Sequence, residues 1–308
     1  MEQIIAWESP TWMDRPQPLE AECYARLPAR LRKGVKSSWG RSNAADASLD
    51  CFLEGPCFSD SGELYVADIP YGRILRVNGA DEWSVVAEYE GWPNGLKARD
   101  GHLYVADHRL GLLRMDPANG RYETLADGYR AERFKGLNDL FFASSGELYF
   151  TDQGQTGWHD PSGRVFRRSA DGLALDLLSD CLPSPNGLCM NGSSTQLFVA
   201  VTRANAVWRL PLMSDGGVSK VGTYIQMSGG AAGPDGIALD AAGGLVVAHP
   251  GTTVWRFNRW GLPTHYVQVP HDSFFTNLAF GPGQDSTFLY MTDALRGEIW
   301  RARMPLAH

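Results

Sequence analysis

Six segments of the chain follow one plan, and that repetition limits the fold more than any other feature. They are ELYVADIPYGRILRV (63–77), LYVADHRLGLLRM (103–115), ELYFTDQG…GRVFRR (147–168), QLFVAVTRANAVWRL (196–210), LVVAHPGTTVWRF (245–257) and LYMTDALRGEIWRA (289–302). Each opens on an apolar, β-rich run, passes through a polar turn and returns as a short strand ending in arginine, which is the pattern of a β-hairpin. The first leucine of each unit falls at 64, 103, 148, 197, 245 and 289, so the steps are 39, 45, 49, 48 and 44 residues. Steps this uneven exclude a strict solenoid, and a period in the forties suits a four-stranded propeller blade. The expectation is an all-β, six-bladed β-propeller whose four-stranded antiparallel blades surround a central channel. Residues 1–45 read as an N-terminal extension carrying a ring-closing strand near Glu22–Leu27, and 46–308 as the propeller, one domain overall. Helical spacing is found only weakly, near 18–33.

Composition agrees and removes several function classes. The 308 residues include 34 Gly and 10 Trp, as a turn-rich β fold requires. A net charge of −7 without any basic run argues against a nucleic-acid or anionic-membrane partner. No apolar stretch approaches the length of a membrane span, and the first residues lack the basic and apolar regions of a secretory signal. The five cysteines, at 23, 51, 57, 181 and 189, form no CxxC pair. They read as free thiols in a reducing compartment, which points to a cytoplasmic protein.

A second register lies about ten residues before each hairpin. EGPCF (54–58), NGLKA (94–98), NDLFF (138–142), NGLCM (186–190), DGIAL (235–239) and TNLAF (276–280) each read as a further strand. Their leading residues are Glu54, Asn94, Asn138, Asn186, Asp235 and Thr276, spaced 40, 44, 48, 49 and 41 apart. In a propeller the innermost strands line the channel, so equivalent starts converge near one mouth. A Pro-Asn-Gly or Pro-Asp-Gly tripeptide alone is a turn signal. Repeated in register, these tripeptides place oxygen-bearing side chains around one point. Two carboxylates and several amide carbonyls, without Cys or His, suit a hard divalent cation, Ca²⁺ first, with Zn²⁺ or Mn²⁺ as alternatives.

The segments EGPCF, KGLNDLFF, SPNGLCM and GPDGIALD, in this order and spacing, resemble the SMP-30/gluconolactonase family of metal-dependent lactonases. The resemblance covers nearly the whole chain after about residue 50. It implies a six-bladed propeller with a divalent metal at the top of the channel, held by Glu54, Asn186 and Asp235. Asn138 is implied as a metal or substrate contact. Some sugar-lactone members carry Arg two residues before that Asn; here the position is Gly136, which points toward a less hydroxylated or more apolar lactone.

The expected reaction is therefore hydrolytic opening of a small-molecule lactone. The metal would polarise the carbonyl and Asp235 would act as general base toward water. Candidate substrate contacts are Asn94 and Asn138 on the ring, Tyr71 and Arg203 in corresponding hairpin turns, and His249 in the fifth hairpin. Trp158 and His159 join them from the long loop TDQGQTGWHDPSG (151–163). Asp68, Asp107, Asp152 and Asp293 recur at one blade position and read as turn caps, and the hairpin arginines read as structural. No GxSxG, HExxH or P-loop is present, and the seven histidines show no metal-ligand spacing. Two other readings compete: a phosphotriesterase of the same fold, and a non-catalytic binding platform.

Overall fold

The computed structural model describes residues 15–79 and 82–305, and its sheets follow the sequence period. Blades 1 to 4 are separate four-stranded sheets, each a meander in chain order. Their innermost strands are Leu53–Phe58, Pro93–Arg99, Leu137–Phe142 and Pro185–Met190. Blades 5 and 6 begin with Ile237–Leu239 and Phe275–Phe280 and belong to one eight-stranded sheet. The molecule is thus an all-β propeller, as the repeat implies. Of the six four-stranded blades expected, four stand alone as sheets and the last two are joined in one.

The fusion has a simple cause. Strand Gln17–Arg26 is the outermost strand of blade 6, antiparallel to Glu298–Arg303 with Ala21 opposite Ala302 and Arg26 opposite Glu298. Its first residues also run parallel to the outer strand of blade 5, with Gln17 opposite His265. The N-terminal strand therefore pairs with the last strand of the chain. The helical spacing near 18–33 is a false lead. Leu19, Ala21, Cys23 and Ala25 turn toward the blade while Glu20, Glu22 and Arg26 stay exposed, a period of two that belongs to a strand.

Blades pack face to face, so both sides of their inner strands are covered. Leu64–Asp68, Leu148–Asp152 and Leu245–His249 are buried at every residue. Between blades 3 and 4, for example, Val165 and Leu182 meet Leu188, Leu197 and Val199.

The recurring aspartates cap more than turns. The side chains of Asp68, Asp107 and Asp152 accept backbone N–H bonds from Phe52 (2.9 Å), Trp92 (3.1 Å) and Gly136 (2.8 Å), and Asp293 accepts from Phe274 (3.3 Å). Each donor lies two residues before Glu54, Asn94, Asn138 or Thr276. The second strand of each of these blades thereby fixes where its innermost strand begins. In two cases an arginine balances the buried carboxylate: Asp68 pairs with Arg73, and Asp152 with Arg164 at 2.6 Å.

Candidate metal centre and active site

The Pro-Asn-Gly tripeptides are not turns. Pro93–Gly95 and Pro185–Gly187 already lie within strands. The pairing register slips directly after Glu54, Pro93, Leu137, Pro185 and Phe275. Such bulges bend the strand and re-aim a side chain. Glu54, Asn94, Asn138 and Asn186 sit at four of these bulges, and all four line one cavity.

The glycines have a separate reason. A Cβ on Gly55, whose φ is +53°, would collide with the carbonyl oxygen of Asn94. One on Gly187 would lie 2.6 Å from the carbonyl oxygen of Asp235. Neighbouring innermost strands touch backbone to backbone at the ring, and the Gly187 N–H donates to that Asp235 carbonyl at 3.2 Å. Only glycine permits the approach.

Glu54, Asn94, Asn138, Asn186 and Asp235 consequently line one cavity of about 330 Å³. Glu54, Asn94, Asn138 and Asn186 are buried, and Asp235 is partly open to the cavity. The sixth ring residue, Thr276, is not on the lining; its hydroxyl donates to the Leu53 carbonyl at 2.9 Å. Two amides are oriented by their nitrogens: Asn138 Nδ2 donates to Gln153 Oε1 (3.0 Å) and Asn186 Nδ2 to Thr202 Oγ1 (3.3 Å). The Oδ1 atoms of Asn94, Asn138 and Asn186 are buried without a hydrogen-bond partner.

The carboxyls are strained in a complementary way. Desolvation pushes Glu54 above its ordinary value, opposed by the Gly55 N–H, which donates to its Oε2 at 2.8 Å. Desolvation and then the charge of Glu54 push Asp235 well above its ordinary value, opposed by the Asn186 side chain and, more weakly, by Arg203. An unsatisfied buried carbonyl costs about 1–3 kcal/mol, so three are a large load against a typical stability of about 5–15 kcal/mol. Water could satisfy the carbonyls but would not relieve two carboxylates that repel each other. A hard dication does both, so the donor set fits one. Among the described residues no three His, Cys, Asp or Glu side chains cluster; at this ring amides supply the remaining donors.

The other candidate contacts divide. Arg203 lines this cavity and also an outer one of about 520 Å³, which it shares with Trp158, His159, Asn43, Gln153 and Ser184. Trp158 and His159 thus sit over the entrance, away from the ring. Tyr71 and His249 line neither cavity. The Tyr71 hydroxyl clamps the bridge between Val35 and Leu49, donating to the Leu49 carbonyl and accepting from Val35 N–H at 3.2 Å. The His249 imidazole is buried, bonded to Asn205 Oδ1 and Thr252 Oγ1, each at 2.9 Å. Their polar atoms are engaged by these partners, and neither side chain is on the lining of either cavity.

Some lining residues had no signal in the repeat. Helix α1 (Ser38–Asn43), capped by Ser37 Oγ accepting from Gly40 N–H, brings Trp39 and Asn43 over the mouth. Trp39 stacks near Phe52 with ring centroids 4.6 Å apart, and Gln155 donates to Asn43 Oδ1 at 3.1 Å. His108, which follows the apolar run of the second hairpin as His249 does in the fifth and so does have a signal in the repeat, also lines the cavity. Burial lowers its imidazole to about 4, so it is neutral at pH 7. A larger cavity of about 650 Å³ lies at the other end of the innermost strands, walled by Cys57, Phe141, Leu188, Ile237 and Phe280. None of the ring residues reaches it.

The family model for the SMP-30/gluconolactonase/LRE-like region matches residues 52–295. The chain belongs to that family. It is 35% identical over 231 residues to the gluconolactonase of Zymomonas mobilis, an alignment spanning 64% of each chain. It is 26% identical over 279 residues to the diisopropyl-fluorophosphatase of Loligo vulgaris, covering 80% of this chain and 87% of that one. In fold it is similar to a calcium-binding protein, regucalcin, from Agrobacterium tumefaciens, with a TM-score of 0.72 at 20% identity over 95% of this chain and 98% of that one. No helix among the described residues is long and apolar enough to cross a membrane.

Proposed function

We propose that this chain is a metal-dependent hydrolase that opens the ring of a small lactone. One observation carries the reading: three buried amide oxygens without partners face the same cavity as two carboxyls that burial and mutual repulsion disfavour as anions. Glu54, Asn186 and Asp235, with Asn138 and Asn94 beside them, would hold a divalent cation, Ca²⁺ before Zn²⁺ or Mn²⁺. When bound, that cation supplies Lewis acidity toward a carbonyl oxygen. The similarity to a gluconolactonase supports a lactone as the substrate class.

The chain's own residues perform the rest. Asn94 and Asn138 orient the ring. Asp235 takes a proton from water as the water oxygen attacks the lactone carbonyl carbon. The ring C–O bond then breaks, and its alkoxide oxygen receives that proton, leaving a hydroxy acid. The cavity admits one small ring, being near the lower end of the ~300–1,000 Å³ usual for ligand pockets. The test is acid release from a lactone panel by chelated protein and again after adding Ca²⁺, Mn²⁺ or Zn²⁺. Turnover restored by metal and lost in Asp235→Ala supports the proposal, and folded, metal-bound protein that opens no lactone overturns it. The likeness to diisopropyl-fluorophosphatase favours one second reading, phosphotriester hydrolysis, so the panel includes such an ester.

A further inference from the structure

The cavity carries an unbalanced charge. Its charged lining residues are Glu54, Asp235 and Arg203, His108 being neutral. A dication held by the ring would cancel the two carboxylates and leave the positive charge of Arg203. Among the described residues the Arg203 guanidinium has no ion pair or side-chain hydrogen bond, unlike the buried Arg73 and Arg164. It stands where the inner and outer cavities meet, its stem beside Gly157. Arg203 is exposed, and an arginine that lines a cavity with its donor fork unused can take a planar anion there.

Other parts of the lining read differently. Trp39, Phe52, Ile69, Phe274 and Leu295 present apolar surface. A side chain at Gly136 would meet the His108 ring, whose Nδ1 lies 2.6 Å from the Cβ position, and the φ of +147° disfavours any residue but glycine. His108 therefore fills the space that a longer residue at 136 would take, its ring packed near Trp92 at 5.6 Å between centroids. These residues offer hydrocarbon and a neutral imidazole, and the polar lining residues Gln153, Ser184 and Thr202 are already bonded to ring amides, to each other or to backbone, which leaves few groups to read a row of hydroxyls.

Resting on the lactonase reading, we infer that the substrate is a small lactone bearing one carboxylate, seated on Arg203, with a ring poor in hydroxyls against the Trp39–Phe52–Phe274 wall. The carboxylate is a substituent and takes no part in ring opening, so the bond changes are those given above. A charge-assisted contact of this kind is worth about 10- to 100-fold in binding.

The test uses Ca²⁺-loaded protein and four rings: 5-oxotetrahydrofuran-2-carboxylate, its carboxamide, γ-butyrolactone and glucono-δ-lactone. The wild type should prefer the carboxylate over the carboxamide by at least about tenfold in kcat/KM. That preference should shrink toward one in Arg203→Gln and survive in part in Arg203→Lys. Calorimetry with tetrahydrofuran-2-carboxylate, which has no ester to cleave, should show binding about tenfold weaker in Arg203→Gln. A wild-type preference near one, or one that Arg203→Gln leaves intact, overturns the inference while the lactonase reading stands. If no ring is opened, the lactonase reading falls. The calorimetry then upholds or overturns the anion site alone.

Discussion

Gly187→Ala probes whether the contact between blades 4 and 5 sets the proposed metal ring. An alanine Cβ there would lie 2.6 Å from the Asp235 carbonyl oxygen, 2.7 Å from Gly236 Cα and 2.8 Å from the Ile237 nitrogen. All three are backbone atoms, so no side chain can rotate aside, and all lie well inside the ~3.5–4 Å of a favourable contact. Overpacking of this kind costs about 1–3 kcal/mol. The Gly187 N–H bond to the Asp235 carbonyl, 3.2 Å long, would stretch or break and add about 1 kcal/mol. The expected loss is about 2–4 kcal/mol, or roughly 4–8 °C in Tm at about 2 °C per kcal/mol for a chain of this size. Because the displaced backbone carries Asp235, Ca²⁺ affinity should fall with it, by about tenfold or more for ~1.4 kcal/mol of lost ligation. Gly192→Ala is the control: nothing lies within 4 Å of its Cβ position, so it should change stability by no more than about 1 kcal/mol, in either direction. Melting curves in chelator and in Ca²⁺, with calorimetric Ca²⁺ titration, read both effects. If Gly187→Ala melts with Gly192→Ala and keeps wild-type Ca²⁺ affinity, the blade contact does not position the ring.

Three further outcomes are expected. Chelation should lower the melting temperature, because a cation bound only by the folded protein at about 100 times its Kd adds about 2.7 kcal/mol; a melt indifferent to Ca²⁺ would contradict the donor ring. Asp152→Ala removes the carboxylate that holds both Gly136 N–H and Arg164, leaving that buried arginine the exposed Glu132 and the Arg133 carbonyl, and should cost about 3 kcal/mol in urea unfolding, the low end for a broken buried pair. His108, lowered by burial from 6.5 to about 4, stabilises the fold fully above pH 6.5 and loses that contribution as pH falls through 4. The gap is worth about 3 kcal/mol, so the unfolding free energy of His108→Phe should fall less steeply across this window than that of the wild type.

How much of this was legible depends on what repeats. The hairpin strands and the residues that begin each innermost strand recur at blade spacing, and repetition separates a geometric constraint from a chance motif. Thus Glu54, Asn94, Asn138, Asn186 and Asp235 could be picked out before any coordinates, and they meet at one cavity. Thr276 occupies the same register, yet its hydroxyl is taken by the Leu53 carbonyl, because the pattern fixes a position and leaves the side chain free to bond its own neighbourhood. Tyr71 and His249 are off the lining for a similar reason: the Tyr71 hydroxyl is taken by the Val35 and Leu49 backbone and the His249 nitrogens by the Asn205 and Thr252 side chains. The glycines of the tripeptides were legible as turn formers, whereas their function is clearance between neighbouring strands, a contact between residues about forty or more positions apart that no local rule detects. Trp39 and Asn43 were illegible because they occur once, on a six-residue helix outside the repeat. A propeller's repeated strands would supply the proposed ring of ligands, and what that ring meets would depend on side chains that do not recur. Arg203 and His108 are such side chains within the repeat, and Trp39 and Asn43 on α1 lie outside it, so a preference for one lactone over another would reside with them.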